Sequence, residues 1–354
     1  MSKVVVKVGS NLLVNENHTL NKPYIAELCR KLAELVSKGH EVALITSGAR
    51  AAGYSYLRSK QKNPDLYMKQ ALCAVGQVQL MKYYENIFDF YSIKVAQILL
   101  TRDTFTNRKR YLNLRNTLIG LSEIGALPVV NENDTVAVEE ITLGDNDMLA
   151  AMFSIAWGAD FLVLLSTVDG ILDEHGKVIE RYENDMKLKK MKKSSWGTGG
   201  IETKLEAAAK ASSAGVKTCI CNGRHVDSIS RFVDGHNVGT VFEPKIDRIQ
   251  AKKAWIGFLS EPSGKIWINE GAEDALKEKK SLLPVGITGV EGEFEAGDVV
   301  EIAGANGEIV GRGIVNFSSR EIEKIKGIKS SRIKQVLGYD ASKVVVHIDN
   351  MWLK

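Results

Sequence analysis

Six short apolar runs constrain the fold of this chain more than any other feature of its sequence. Several of them are continuous rather than alternating, as expected of strands covered on both faces. A helical pattern separates consecutive runs, as in Pro23–Lys38, where Asn21 is a plausible cap and Gly39 a stop. The alternation predicts an α/β fold, a three-layer αβα sandwich around a mostly parallel sheet. The runs are Lys3–Val8, Val42–Thr46, Lys94–Leu100, Leu127–Asn131, Phe161–Ser166 and Lys217–Cys221.

The pattern of apolar residues, glycines and turn signals changes after about residue 255. Apolar runs become short, glycine recurs every few residues, and turn signals such as Gly297-Asp298 and Asn306-Gly307 multiply around one helical segment, Glu273–Lys279. This pattern predicts a small β-rich domain at residues 264–354, after a first domain at 1–255 and a linker at 256–263.

Composition indicates an ordinary globular protein, with 44% hydrophobic and 25% charged residues and a net charge of only +4. Residues 263–354 carry 13 basic and 14 acidic side chains. That balance lacks the electrostatic footprint of a nucleic-acid site, although Arg320–Lys334 is locally basic. RNA binding by the second domain is therefore an alternative that we do not expect.

The four cysteines and the first residues bear on the cellular compartment. So few cysteines in 354 residues indicate a reducing environment, with the thiols acting as small buried apolar groups. The opening run Lys3–Val8 reads as a strand rather than a signal peptide. No apolar stretch approaches the roughly 18–20 residues that a membrane span needs. We expect a cytoplasmic protein without a membrane segment.

Three motifs next to predicted strands or helices could bind an anion. Lys7 lies in an apolar run beside Gly9, and Ser47-Gly48 opens a helix after the next run. The segment Gly197–Lys204 combines a glycine-rich loop, hydroxyl groups and a lysine at a helix start. A strand-end lysine and a plain helix cap would explain the first two motifs without any ligand. The third motif is the strongest anion-site signal in the chain.

Two clusters of acids and amides lie about a dozen residues apart. Asn131–Thr135 follows a strand, and Gly144–Asp147 opens a helix. Such groups can bind an ammonium group or orient lysines. A further polar turn, Ser166–Gly170, follows another strand and could contact a nucleotide. That segment could also be a simple turn. Solvated loop polarity would account for one of the two acid-amide clusters more easily than for both.

The motifs that the sequence lacks limit the class of reaction that the chain could catalyse. A Walker A spacing, a dinucleotide-binding G-x-G-x-x-G after the first strand, and the protein-kinase H-R-D and D-F-G motifs are all missing from the sequence. The six histidines form no evident pair with Ser or Cys. Phosphoryl transfer depends mainly on positioning and charge neutralisation, and a carboxylate acceptor is already ionised at pH 7. The residues therefore favour an acyl-phosphate product.

The motifs resemble those of the glutamate 5-kinases, members of the amino-acid kinase superfamily that carry a C-terminal PUA domain. The resemblance covers essentially the whole chain. Arg50 departs from it by replacing an aliphatic residue, and Ile201 by replacing a methionine. The motifs that carry it are KVGSNLL (Lys7–Leu13), TSGA (Thr46–Ala49), KQALCAVGQVQLM (Lys69–Met81), NENDTV (Asn131–Val136), GDNDMLAA (Gly144–Ala151), GTGGIETK (Gly197–Lys204), NEGAEDAL (Asn269–Leu276), SLLPVGI (Ser281–Ile287) and GRGIVNFSS (Gly311–Ser319).

The resemblance implies a role for each matching residue. Lys7 and Lys204 would flank the transferring phosphoryl group, and Asp147 would hold both lysines. Glutamate would be bound by Ser47, Asp134 and Asn146. ATP would be bound by Lys7, Gly9, Ser166, Thr167, Thr198, Gly199, Gly200, Ile201, Glu202, Thr203 and Lys204.

The resemblance also implies a reaction and its partners. ATP, with Mg²⁺ bridging its phosphates, would phosphorylate the glutamate side chain in the first step of proline biosynthesis. Proline would inhibit the enzyme, which would be a homodimer or homotetramer. The residues alone leave sister kinases open, with aspartate, acetylglutamate, carbamate or a nucleoside monophosphate as acceptor.

Overall fold

Two compact units make up the structure, a computed structural model that describes residues 1–17, 19–58, 64–137, 146–183, 200–245 and 251–354. The first unit comprises Met1–Thr104 and Lys109–Arg248, and the second comprises Phe105–Arg108 and Ile249–Lys354. The domain boundaries expected from the sequence stay a prediction.

A mixed sheet forms the centre of the first unit, and its strands in the described residues run in the order β3-β4-β2-β1-β5-β6-β7. All neighbouring pairs are parallel except β6 and β7. The predicted mostly parallel α/β sheet is thus confirmed, and the short antiparallel β7 is an addition that the sequence analysis missed. The strands are β1 Lys3–Val8, β2 Glu41–Ile45, β3 Val95–Leu100, β4 Leu127–Glu132, β5 Phe161–Ser166, β6 Lys217–Asn222 and β7 Thr240–Phe242.

Helices connect these strands, as parallel pairing requires. The predicted cap of α2 is present, because Asn21 Oδ1 accepts a hydrogen bond from the backbone N–H of Tyr24. Gly39, just past its end, has a φ of +86°, a value that glycine adopts without strain. The described helices of this region are α1 Ser10–Leu13, α2 Lys22–Ser37, α3 Ala49–Leu57, α4 Leu66–Asp89, α5 Asp103–Thr106, α6 Arg108–Glu123, α7 Asp147–Trp157, α8 Ile201–Ser213 and α9 Asp227–Val233.

The two faces of β1 have different environments. Val4, Val6 and Val8 lie in a core that also includes buried residues of α2, α3, α4 and α9. Successive side chains of a strand point to opposite faces, so Lys7 lies on the other face. Helix α7 packs on β1 and β5 there, and α8 packs on α7 and β5. The fold therefore places Lys7 between the sheet and these two helices.

The second unit contains a five-stranded sheet in the order β12-β11-β10-β8-β9 within its described residues. Its core includes Ile266, Ile302 and Phe317. Segment Trp255–Leu259 forms a buried π-helical turn where the sequence suggested a linker. The elements are α10 Ala251–Ala254, β8 Gly264–Ile268, α11 Glu270–Lys277, β9 Ile287–Glu291, β10 Val299–Ala303, β11 Ile309–Val315, α12 Ser319–Ile325, α13 Ile333–Leu337 and β12 Val346–Leu353.

Helix α11 begins three residues earlier than the sequence pattern suggested. Asn269 Oδ1 accepts a hydrogen bond of 2.9 Å from the backbone N–H of Ala272, which is an N-cap interaction. Across the described part of the chain, none of the helices has both the length and the apolar content needed to cross a membrane.

Candidate active site

Four adjacent parallel strands end at one edge of the first sheet. In the order β4, β2, β1 and β5, their carboxyl ends carry Asn131, Ser47, Gly9 and Ser166. Ligands of open α/β sheets bind at such an edge. The topology therefore brings together motifs that are as much as 157 residues apart in the sequence.

Lys7 of β1 is almost completely buried, with 1% of its surface exposed. A lysine can occupy such a position only if its charge has a partner, because burial of an isolated ammonium group is very costly. The carboxylate of Asp147 supplies this partner through an ion pair between Lys7 Nζ and Asp147 Oδ1. Asp147 itself has no exposed surface.

Lys204 contacts the other oxygen of the same carboxylate. Its Nζ lies 2.7 Å from Asp147 Oδ2, and the residue is 8% exposed. Asp147 thus bridges two lysines from different elements. The three side chains carry two positive charges and one negative charge, so the trio has a net charge of +1, which suits an anionic ligand.

The sequence of α7 explains why Asp147 is buried. Every residue of Asp147–Trp157 except Met148 is buried or nearly so, since the helix is apolar around most of its circumference. Such a helix packs on all sides, and its first residue goes into the interior with it. At that first turn, the carboxylate is also favoured by the positive end of the helix dipole.

Lys204 is held by the first turn of α8. Gly200 is the N-cap residue, and its carbonyl accepts a hydrogen bond of 2.9 Å from Thr203 Oγ1. Lys204 follows on the buried face of the helix, together with Ala207, Ala208 and Ala211. These small side chains let α8 approach its neighbours closely, and the lysine fills the end of the same interface.

A cluster of uncharged polar groups lies on the other side of the edge. Asn146 Nδ2 lies within hydrogen-bond distance of the backbone carbonyl of Thr46, 3.2 Å from Ser47 Oγ and 2.8 Å from Asn131 Oδ1. Gln77 Oε1 accepts a hydrogen bond of 2.9 Å from Asn131 Nδ2. We call Ser47, Gln77, Asn131 and Asn146 the amide cluster. The predicted substrate residues Ser47 and Asn146 are therefore in contact.

Helix α4 supports this cluster from behind. Tyr84, which is fully buried, lies with its hydroxyl 2.6 Å from Thr46 Oγ1. One turn before Gln77, the thiol of Cys73 lies near the carboxylate of Asp134. Burial, together with this carboxylate, raises the pKa of Cys73 well above its usual range. The half-buried Asp134, the third predicted substrate residue, is thus brought to the same helix face.

The nucleotide residues proposed from the sequence are partly described. Ser166 and Thr167 are half-buried at the end of β5, and Gly200–Lys204 opens α8. A Cβ atom on Gly9 would lie 3.7 Å from Lys7 Nζ, so this glycine is next to the buried ammonium group. Ile201 and Thr203 are half-buried and Glu202 is exposed. Thr198 and Gly199 lie outside the described residues, as does Asp145.

Sequence reasoning missed Gln77 and Tyr84 and assigned no role to Asn131. The available signal was spacing, since Gln77 follows Cys73 by four residues and so lies on the same face of α4. Arg50, the departure noted from the sequence, is exposed on α3.

Comparison with known proteins agrees with this geometry. Residues 2–222 match the model of the amino acid kinase family, and residues 264–337 match that of the PUA domain. Glutamate 5-kinase from Thermotoga maritima is 69% identical over 351 residues, which cover 99% of both chains. The chain belongs to the glutamate 5-kinases of the amino acid kinase family. The glutamate 5-kinase of Kosmotoga olearia is 58% identical over 99% of both chains.

Membership of the glutamate 5-kinases accounts for both parts of the sequence analysis, the kinase motifs and the β-rich PUA domain. Among solved structures, UMP kinase from Ureaplasma parvum aligns with 69% of this chain and 100% of its own, at 14% identity and a TM-score of 0.47. We draw no conclusion about this chain from a similarity at that level.

Proposed function

We propose that the chain transfers the γ-phosphoryl group of ATP to the side-chain carboxylate of L-glutamate. The product is L-glutamyl 5-phosphate, and the reaction is the first step of proline biosynthesis. The observation that carries the proposal is the buried trio in which Asp147 bridges Lys7 and Lys204. Full-length similarity to glutamate 5-kinases supports the choice of acceptor.

The order of the strands suggests how the two substrates lie. Lys7 belongs to the central strand β1, with the amide cluster on the side of β2 and β4 and with Ser166 on the side of β5. Glutamate would bind on the first side and ATP on the second, so that the γ-phosphoryl group meets the acceptor near the lysines. This arrangement would bring the two reacting groups together, and positioning is the main requirement of phosphoryl transfer.

The chemical step needs little more than charge stabilisation. One oxygen of the glutamate carboxylate forms a bond to the γ-phosphorus, the bond between that phosphorus and the β–γ bridging oxygen breaks, and ADP leaves with the electron pair. The acceptor is ionised at neutral pH, so no general base is needed. Lys7 and Lys204 would stabilise the charge that develops on the transferring group, and Asp147 would keep both ammonium groups in place.

The acceptor site would be formed by Ser47, Asn146 and Asp134. Ser47 and Asn146 are already in contact, and their uncharged hydrogen-bonding groups can bind a charged amino acid without repelling it. Asp134 supplies a carboxylate that would pair with the α-ammonium group. Ser166, Thr167 and the loop Thr198–Lys204 would bind the nucleotide, with Gly9 leaving room beside Lys7.

Mg²⁺ would act on the phosphates rather than in a protein cage. Within the described ranges, no three His, Cys, Asp or Glu side chains are grouped so that they could hold a metal. Mg²⁺ commonly binds through substrate phosphates and water, so it would arrive with ATP. Bound there, it would neutralise part of the phosphate charge.

Three further expectations form part of this proposal. Proline would inhibit the enzyme, the chain would associate as a homodimer or homotetramer, and it would work in the cytoplasm. The first two rest on the glutamate 5-kinase family. The third is supported by four buried cysteines, all of them free thiols.

The test is a coupled assay of ADP release with glutamate, aspartate, N-acetylglutamate, carbamate and UMP as acceptors, each with and without proline. Hydroxylamine should trap the glutamate product as a hydroxamate, because an acyl phosphate reacts with it readily. We expect turnover with glutamate to exceed that with every other acceptor by at least about a hundredfold, a range that a site matched to one substrate readily provides. Equal or faster turnover with another acceptor would refute the assignment.

A further inference from the structure

The amide cluster extends beyond the residues that the proposed function uses. Asn146 contacts Asn131, and Asn131 contacts Gln77, so a chain of side-chain amides runs from the acceptor site to helix α4. The three residues are 6%, 3% and 8% exposed, respectively. Buried polar groups that form a connected network fix one another's orientation.

A backbone carbonyl fixes the direction of this chain. A carbonyl oxygen can only accept, so the atom of Asn146 next to the Thr46 carbonyl must be the amide nitrogen. That same nitrogen faces Asn131, which must therefore present its oxygen. Asn131 then presents its nitrogen to Gln77, whose Oε1 accepts. A reversed amide at any position would bring two donors or two acceptors together.

Gln77 therefore fixes the far end of the chain. Without an acceptor at position 77, Asn131 Nδ2 would lose this partner, and the amide of Asn131 would be held only by its contact with Asn146. The second group of Gln77, its Nε2, is buried and has no hydrogen-bond partner among the described residues. A buried donor without a partner is a local cost in stability.

The packing of α4 on α3 places Gln77 at a fixed distance from the acceptor site. A Cβ atom on Gly76 would lie 1.7 Å from the carbonyl oxygen of Ala49, and one on Gly53 would lie 2.1 Å from that of Leu72. Only glycine allows such an approach of two helix backbones. Ala49 begins α3 directly after Ser47-Gly48, so this contact ties the turn of Ser47 to the residue next to Gln77.

We propose that Gln77 is a positioning residue for the acceptor substrate. It acts through Asn131 on Asn146, and so holds the Ser47 hydroxyl and Asn146 Oδ1 in the orientation that binds the carboxylic amino acid. This inference rests on the proposed function, because it takes glutamate as the ligand of the cluster. It predicts a defect confined to one substrate, which a role in folding alone would not produce.

The experiment compares Gln77→Leu, Gln77→Met, Asn131→Ala and the double variant Gln77→Leu/Asn131→Ala with the parent enzyme. Leu and Met fill the space without an acceptor for Asn131. Gln79→Leu, two residues along the same helix and half-buried, is the matched control. The measurements are KM for glutamate, KM for ATP, kcat and the melting temperature of each protein.

We expect both Gln77 variants to raise the KM for glutamate about tenfold, as the loss of a buried hydrogen bond predicts. KM for ATP should stay within twofold, and Gln79→Leu should resemble the parent. If Gln77 acts through Asn131, the double variant should be no worse than Asn131→Ala within about twofold, since the two effects share one path.

Several outcomes would overturn the inference. They are a glutamate KM within twofold of the parent in a folded Gln77 variant, equal changes in both KM values, full additivity in the double variant, and failure of both Gln77 variants to fold. The last would assign Gln77 to folding. A parent enzyme that releases no ADP with glutamate would instead refute the proposed function, so the two failures can be told apart.

Discussion

The two halves of the candidate site both bury polar side chains, but the side chains differ in charge. The trio of Lys7, Asp147 and Lys204 buries full charges, whereas the amide cluster around Asn146 buries only neutral dipoles. Asn146 and Asp147 are consecutive residues, so the boundary between the two chemistries is one peptide bond at the start of α7. The difference corresponds to two tasks along one sheet edge.

Charged side chains are useful at the position where negative charge develops during the reaction. A phosphoryl group in transit spreads negative charge over its oxygens, and preorganised cations in a dry site stabilise that state strongly. The acceptor, in contrast, must bind and be released as a charged amino acid. Neutral polar groups can bind it without holding it too tightly. Variants of the trio should therefore lower kcat, and variants of the amide cluster should raise the KM for glutamate.

The largest effect is expected from Asp147→Asn. The change keeps the shape of the side chain but leaves two buried lysines without their shared carboxylate. Removing one partner from a buried ion pair costs roughly 3–5 kcal/mol of stability. Turnover should fall by about a thousandfold or more, because neither lysine would stay in place. Unfolding in urea and the rate of ADP release measure the two quantities.

The matched control is Asp227→Asn, because the exposed carboxylate of Asp227 lies 2.7 Å from Lys31 Nζ, which also pairs with Glu34. That exposed carboxylate should be replaceable with little change in stability or rate. Similar losses from the two substitutions would contradict the special role of the buried carboxylate.

The second effect is that of Lys204→Ala. One cation is removed, and Asp147 keeps Lys7 as a partner, so the protein should fold. We expect kcat to fall by about a hundredfold to a thousandfold, the range found when one group that stabilises transition-state charge is lost. KM for glutamate should change much less. Steady-state kinetics on both substrates separates these terms.

Lys38→Ala, an exposed lysine at the end of α2, is the control for this prediction. A rise in glutamate KM with an unchanged kcat in Lys204→Ala would reverse the division of labour between the two halves of the site.

A third and smaller effect is expected from Asn146→Ala. The substitution removes the amide that contacts Ser47 and Asn131, and it leaves the Thr46 carbonyl without that donor. We expect the KM for glutamate to rise about tenfold to a hundredfold, since a lost buried hydrogen bond costs roughly 1–3 kcal/mol. kcat should fall far less than in Asp147→Asn, although the two residues are neighbours.

Asn113→Ala on the exposed face of α6 should leave both constants unchanged. If Asn146→Ala instead lowers kcat as much as Asp147→Asn does, the separation of the site into two chemistries is wrong.

How much of this comparison the sequence could predict depends on the range of the interactions. The sheet follows from local apolar runs and their spacing, so the strand ends, and with them Lys7, Ser47 and Asn131, could be placed at one edge. The family resemblance supplied the roles of Asp147 and Lys204. The carboxylate bridge between them joins residues 57 positions apart, and no local pattern reports such a contact.

Gln77 is a second residue whose contacts could not be predicted from the sequence. In the sequence it is one polar residue in the long helix Leu66–Asp89, where polar positions usually face solvent. Its burial follows from the backbone contact at Gly76, which turns this face of the helix toward the sheet edge. Close packing of two helices is a tertiary property, and so are the orientations of the amides that it brings together.

The smallest predicted effect concerns the thiol of Cys73, on the acceptor side of the site. Burial and the nearby carboxylate of Asp134 hold the pKa of Cys73 above its usual range, whereas the thiol of the unfolded chain ionises near pH 9. Unfolding above pH 9 therefore releases a proton, and this contribution to stability is lost as the pH rises further. Cys73→Ser, which cannot ionise there, should reduce the fall in unfolding free energy between pH 9 and 10 by about 1 kcal/mol.

Cys29→Ser is the control, because burial also raises the pKa of that thiol and its position in α2 is outside the acceptor site. Both variants should flatten the alkaline loss of stability, measured by urea unfolding at the two pH values. Only Cys73→Ser is expected to alter the KM for glutamate, by about threefold or less, since serine still offers a hydroxyl beside Asp134. An unchanged pH dependence in Cys73→Ser would contradict the prediction, because it would mean that the thiol ionises as readily in the native enzyme as in the unfolded chain.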